Sequence, residues 1–182
     1  MTGGIIIFGA NGSGKSTFGL ALARVLEFKY MDIEAYYFEE SDIPYTVERS
    51  REDCLELMLA DIEKHGTFVL SSVTGDFGKE ISSRYDLAVL ITAPLKIRLA
   101  RVEHREYKRH KERIHKGGDM YAQHMQFVDF VATRSLKKIE QWAETLECPL
   151  LQIDGTKDIL DNVNFVVEEY RLYASVKQRL CK

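Results

Sequence analysis

Gly9-Ala10-Asn11-Gly12-Ser13-Gly14-Lys15-Ser16 sets glycines, a lysine and a hydroxyl at the spacing G-x-x-x-x-G-K-[ST]. The chemistry this set suits is the binding of a phosphate chain. Glycines allow backbone angles that turn successive N–H groups toward one point. The positive end of a following helix adds to those donors. In such a Walker A loop Asn11, Gly12, Ser13 and Gly14 cradle the phosphates, and Lys15 reaches the β- and γ-phosphates. The Ser16 hydroxyl coordinates Mg²⁺, and Thr17 follows within reach of the α-phosphate. The ligands implied are ATP and Mg²⁺. A glycine-rich turn that binds nothing is the plain alternative. An apolar strand candidate before the loop and an amphipathic helix after it argue against that alternative.

A second chemical set is Asp32-Ile33-Glu34, placed just past a short strand candidate at Lys29-Tyr30-Met31. Parallel strands deliver their carboxyl ends to one edge, so these acids share an edge with the phosphate loop. One of them can hold the Mg²⁺ or its waters, with Asp32 and Ser16 as the metal pair. The other can accept a proton from, or hydrogen-bond, an acceptor. Two solvated acids in an ordinary loop are the competing reading.

The elements that must position these residues read as alternating short apolar runs and longer stretches of helical period. Ile5-Ile6-Ile7-Phe8, Phe68-Val69-Leu70, Leu87-Ala88-Val89-Leu90-Ile91 and Leu150-Leu151-Gln152-Ile153 are apolar on both faces, as buried parallel strands are. The periodicity predicts a helix over 15–26, with Phe18, Ala21, Leu22 and Val25 inward, and another over 47–64, with Val47, Cys54, Leu55, Met58 and Ile62 on one side. Pro94 suits a helix start. Further helices are expected over 120–133, 136–146 and 157–176, the second with Leu136, Ile139, Trp142 and Leu146 in register.

The sequence contains no N-K-x-D segment of the kind a GTPase uses to read its base. Motor and AAA-type ATPases usually carry a strand ending in Asp or Asp-Glu at the metal. Here the strands run instead into Ser71-Ser72 and Thr92-Ala93. The acids at 32 and 34, with this order of elements, make the chain resemble the nucleoside and small-molecule kinases of the P-loop class, such as adenylate and shikimate kinases. In that group two arginines lie seven and eleven residues beyond a proline, one packing on adenine and one reaching the phosphates; Arg101 and Arg105 match those positions. A short D-G-T turn beside the adenine resembles Asp154-Gly155-Thr156. The run Arg105-Glu106-Tyr107-Lys108-Arg109 with Gly117-Gly118-Asp119-Met120-Tyr121 is similar to bacterial P-loop proteins labelled adenylate kinase-like.

The resemblance implies a three-layer α/β P-loop fold: a five-stranded parallel sheet of order 2-3-1-4-5, helices on both faces and a helical lid. It implies one domain over 1–182, with an acceptor-binding region at about 34–66 and a lid at about 105–133. The implied activity is transfer of the γ-phosphoryl group of ATP to a small metabolite. Lys15, Asp32, Glu34 and Arg105 would be catalytic, and Arg101, Arg105, Gly155 and Thr156 would hold the nucleotide. A nucleotide-sensing protein with slow hydrolysis is the alternative.

The segment 96–116 is dense in cations. Lid arginines that stabilise the transferring charge compete with a solvated helix of i,i+4 pairs. Arg109 and Arg113 read either way; Arg98 and the lysines read as surface, and His104, His110, His115 and His124 as surface or lid. Gly117-Gly118 reads as a hinge. On the acceptor side Tyr36, Tyr37, Phe38, Tyr45, Arg49 and Arg51 either sandwich a substrate or pack on the following helix. Adenylate kinases follow the third strand with Asp-Gly-Phe-Pro-Arg. Ser71-Ser72-Val73-Thr74-Gly75-Asp76 stands there instead and should line the same pocket.

The bounds are those of a globular chain. Its 182 residues are 45% hydrophobic and 29% charged, with a net charge of -3, which gives no general attraction to nucleic acid. No apolar run reaches the length of a membrane span, and no leader is expected before Ile5. Cys54, Cys148 and Cys181 lack metal-ligand spacing and suit inert thiols in a reducing cytoplasm.

Overall fold

The computed structural model describes residues 3–41 and 46–180, the last four of these as backbone alone. Its centre is β1 (Gly3–Phe8), where Ile5, Ile6, Ile7 and Phe8 have no solvent exposure. Both faces of the strand are covered, which is why its apolar run is continuous rather than alternating. β2 (Lys29–Asp32), β3 (Thr67–Ser72), β4 (Tyr85–Thr92) and β5 (Leu150–Asp154) complete an all-parallel sheet of order β2-β3-β1-β4-β5.

Pleating divides the core in two. Ile5 and Ile7 join Val69, Val89 and Ile91 on one face, packed by Phe18 and Leu22 of α1 (Lys15–Leu26) and by Val163 and Val166 of α8 (Ile159–Leu180). Ile6 and Phe8 face the other way, onto Cys54, Met58 and Ile62 of α3 (Arg51–His65) and Ile139 of α7 (Lys137–Ala143). The chain thus has three layers, helices lying on both faces of the sheet. Trp142 meets Phe8 edge-on at 4.8 Å and covers the end of the central strand.

Several elements depart from the sequence expectation. Val25 is half exposed, because the inward stripe of α1 runs through Phe18, Gly19, Leu22 and Ala23. α3 starts at Arg51, where the Ser50 hydroxyl accepts the Asp53 N–H and fixes the helix entry. Val47 is left out of that helix: its carbonyl accepts the Glu39 N–H, beside an antiparallel bridge between Phe38 and Glu48. Short helices at Ile33–Tyr37 (α2) and Lys79–Ser82 (α4) were not expected; neither is long enough to show a helical period. α7 is shorter than expected, and Leu136 before it is 40% exposed.

α5 (Leu95–His110) starts directly after Pro94 as expected, and a 3-10 turn, Lys111–Ile114, leads to α6 (Tyr121–Thr133). Among the described residues no helix is long and apolar enough to cross a membrane.

Candidate functional site

The carboxyl ends of β1, β2, β3 and β4 open onto one cleft of about 700 Å³. Its floor is the loop between β1 and α1. Gly12 has φ +78° and Gly14 φ +109°, a region that a side chain rarely tolerates. A Cβ at Gly12 would lie 2.4 Å from the Arg98 carbonyl oxygen, so α5 packs against the loop backbone itself.

Cations hold the loop's carbonyls. Lys15 Nζ donates to the Ala10 carbonyl at 2.9 Å, Arg101 Nη1 to Ser13 at 3.0 Å and Arg98 Nη1 to Asn11 at 3.4 Å. In a planar trans peptide the N–H points opposite to the carbonyl before it. Tying the carbonyls of Asn11 and Ser13 to arginines therefore aims the Gly12 and Gly14 N–H groups the other way. Gly14 also caps the N-terminus of α1, whose first amides have no partner within the helix. Ser13 Oγ is buried without a partner among the described residues. These are features of a cradle for an oxyanion.

Lys15 lines the cleft with Asp32 and Glu34. Burial lowers its pKa to about 8; the carboxylates of Glu34 and Asp32 work against that shift, and Arg105 and Arg134 add to it. Asp32 ends β2 and caps α2: its Oδ1 accepts the Glu34 N–H at 3.2 Å and its Oδ2 the Tyr30 hydroxyl at 3.1 Å. The two acids therefore sit on a strand end and a helix start, not in a loop. Burial, with Asp32 adding to it, pushes the Tyr30 phenol up to about 12, so it remains a donor. Ser16 and Thr17 also line the cleft, as do Asn11, Ser71, Ser72 and Val73.

A divalent cation fits this donor set. Ser16 and Asp32 offer two oxygens from one edge, and no group of three or more His, Cys, Asp or Glu able to hold a metal occurs among the described residues. A metal at Ser16 and Asp32 would take its remaining ligands from phosphate oxygens and water, as Mg²⁺ does.

The expected arginines divide. Arg101 lines the cleft, but its guanidinium bridges two carbonyls, Ser13 and Gly155 (Nη2 to Gly155, 2.8 Å). It fastens the turn after β5 to the phosphate loop. Gly155 lines the cleft; Thr156 does not, because its N–H and hydroxyl are both taken by Asp154 Oδ1. Arg105 lines the cleft with Nε 3.0 Å from Glu106 and its guanidinium 6.0 Å from the Phe127 ring centroid. Arg109 lines it too. Arg113 does not: it makes a forked ion pair with Asp119 that ties the 3-10 turn to the turn before α6. Gly118 belongs to the same packed corner, since a Cβ there would meet the Arg113 carbonyl at 2.2 Å. That is a tight turn rather than a free hinge.

On the acceptor side, packing claims the residues first. Tyr36 is buried and donates to Asp61 of α3 at 2.5 Å. Arg49 Nη1 donates to the carbonyls of Ala35, Tyr36 and Phe38, closing the C-terminal end of α2. Tyr37 remains 38% exposed beside Phe77. Tyr45 lies outside the described residues.

Sequence reasoning missed four contributors. Arg98 is buried rather than on the surface. Arg134, at the end of α6, reaches Asn11 Oδ1 at 3.4 Å and stacks on Phe130 at 5.0 Å. Lys108 and Lys157 line the cleft, and so does His104, read from sequence as surface or lid. His110 is buried beside Glu106 (3.7 Å), and His124 Nδ1 is buried without a partner among the described residues, so neither is a surface histidine. A lone arginine past a helix end carries no spacing signal, which is why Arg134 escaped.

A family model described as AAA domain matches residues 5–126. The uncharacterized protein YqaC of Bacillus subtilis (strain 168) is 30% identical over 172 residues, spanning 90% of this chain and 95% of that protein. Among solved structures, a shikimate kinase from Bacteroides thetaiotaomicron superposes with a TM-score of 0.59 at 15% identity, over 93% of this chain and 98% of that one. A gluconokinase from Sinorhizobium meliloti 1021 gives 0.56 at 15% identity over 98% and 97%. A deoxyadenosine kinase from M. mycoides with bound dATP gives 0.57 at 12% identity over 92% and 98%. At these identities the likeness is one of fold, and the fold is that of the P-loop kinases. The AAA-domain match holds although β3 ends in Ser71-Ser72, without the acid that motor-type ATPases carry there.

Proposed function

The chain belongs to the AAA-domain family, and from that premise we propose that it transfers the γ-phosphoryl group of Mg-ATP to a hydroxyl of a small metabolite. The observation that carries the proposal is the convergence of Lys15, Asp32 and Glu34 on the cleft floored by the phosphate loop. The Gly12 and Gly14 amides and Lys15 would hold the phosphates, with Ser16 and Asp32 holding Mg²⁺ and Arg105 lying over the transferring group. When bound, Mg²⁺ supplies charge neutralisation to the phosphate oxygens.

Glu34 is the better base. Asp32 already accepts from Glu34 N–H and Tyr30, whereas Glu34 opens the first turn of α2 and lines the cleft. The alcohol proton passes to Glu34 as its oxygen attacks the γ-phosphorus and the bond to the β-phosphate oxygen breaks, leaving ADP and a phosphate monoester. A phosphate acceptor would need cations on this side; Arg49 is committed to the α2 carbonyls, and Arg51, at the start of α3, does not line the cleft. Ser71 and Ser72 suit a hydroxylated partner better.

In this reading residues 1–182 form one kinase domain, with 34–66 receiving the acceptor and 105–133 closing as a lid. The free thiols of Cys54 and Cys148 support a reducing, cytoplasmic setting. ADP release from Mg-ATP against a panel of nucleosides, nucleoside monophosphates and polyols, with Lys15→Ala as the blank, tests the proposal. An alcohol that stimulates release in the native protein alone supports it. ATP binding without any stimulated turnover would favour a nucleotide sensor instead.

A further inference from the structure

Arg98 lies in the first turn of α5 and is 6% exposed. Such a position, one turn before the buried Val102, ordinarily takes an apolar side chain. Its Nη1 reaches only the Asn11 carbonyl, at 3.4 Å, and its Nε is buried without a partner among the described residues. No carboxylate pairs with it among the described residues. A guanidinium holds its proton through any ordinary pH range, so the charge is present with no carboxylate beside it. Leaving a buried charge unpaired is strongly destabilising.

Two contacts place Arg98 behind the phosphate loop. The Arg98 carbonyl oxygen lies 2.4 Å from where a Gly12 Cβ would stand, so backbone meets backbone under the loop. The side chain meets the Asn11 carbonyl in the next peptide unit. The Asn11–Gly12 peptide therefore has its carbonyl on Arg98 and its N–H on the opposite side, toward the cleft.

We propose that Arg98 is a positioning residue of the phosphate site: from behind the loop it orients the Gly12 amide, and the charge of a polyphosphate in the cleft offsets that of its guanidinium across the Asn11–Gly12 peptide. The inference rests on the nucleotide reading above. It has two signatures. Removing the charge stabilises, or leaves unchanged, the nucleotide-free protein, because a buried cation with no carboxylate beside it is gone. Removing it also weakens anionic ligands in order of their charge. A residue that merely packs would lower stability and weaken all ligands alike.

Arg98→Met keeps the length of the side chain and removes its charge. Thermal unfolding of the nucleotide-free protein and calorimetric affinities for ATP, ADP and inorganic pyrophosphate are compared with wild type. The expected result is an equal or higher Tm with ATP affinity lowered about tenfold, roughly 1.4 kcal/mol, and ADP affinity lowered less. Arg98→Lys should recover much of the ATP affinity at wild-type Tm. ATP affinity within about twofold of wild type overturns the inference. So does a lower Tm with ATP and ADP weakened equally. If Arg98→Met fails to fold, Arg98→Gln is judged by the same two criteria. Wild-type protein that binds neither ATP nor pyrophosphate overturns the nucleotide reading itself, and this inference with it.

Discussion

At the scale of single residues, Lys15 ties nucleotide binding to pH. Burial brings its pKa down to about 8 in the nucleotide-free protein, and a polyphosphate beside it would raise that value again. Binding then takes up a proton wherever the free protein has lost one. ATP affinity should be full below pH 8 and fall as pH rises above it, by at most about tenfold per pH unit, until the pKa of the bound state is reached. Titrations at pH 7, 8 and 9 check this, and a profile as flat as that of Lys15→Ala would contradict it. Glu34 predicts a different division. Glu34→Gln keeps shape and hydrogen bonding but cannot take a proton, so kcat should fall by roughly 10² to 10⁴ with ATP affinity nearly unchanged. Equal losses in both would assign Glu34 to nucleotide binding.

At the scale of elements, α2 is the piece whose integrity the acceptor side depends on. It is five residues long, too short to persist alone, and is closed at one end by Asp32 and at the other by Arg49. Arg49→Ala removes charge-assisted bonds to three carbonyls and should lower stability by about 1.5–3 kcal/mol in urea unfolding. It should also lower turnover more than ATP affinity, because Glu34 sits on α2 while the phosphate loop does not. The same helix marks the limit of what sequence reveals. Four strands and α1 were legible because continuous apolar runs and a helical period held over twelve residues are strong signals, whereas β2 was placed only by its position after α1. The phosphate loop was legible because its glycines answer a steric requirement. Arg49 and Arg98 were not: their roles come from backbone carbonyls brought near by folding, and a carbonyl leaves no trace in residue type. The resemblance put Arg101 against the nucleotide; it lines the cleft, and its bonds to Ser13 and Gly155 could come only from coordinates.

At the scale of the whole molecule, α5 lines the cleft through Arg105 and Arg109, and Arg134 at the end of α6 reaches Asn11 at its edge. If this region closes over ATP, its amides should exchange with deuterium more slowly when a non-hydrolysable ATP analogue is added, chiefly across 105–133. Unchanged exchange there, with protection confined to residues 9–17, would leave the region a static wall. The two faces of the sheet impose a further dependence. Val163 and Val166 of α8 cover Ile5 and Ile7, so the last helix shields the strand that launches the phosphate loop.

The position of β1 between β3 and β4 has a consequence for how the chain is born. Of the five strands it is the first to be made, but its neighbours are Thr67–Ser72 and Tyr85–Thr92, and the helix that seals one of its faces follows all five. At roughly 5–20 residues per second, Ile5-Ile6-Ile7-Phe8 spends several seconds of translation with no strand to pair with. An apolar, uncharged segment of high β-propensity in that state invites pairing with another nascent copy. The Gly9 N–H bonds the Val73 carbonyl and the Arg98 backbone backs Gly12, so the contacts that hold the phosphate loop are complete only once the chain beyond β3 and β4 has been made.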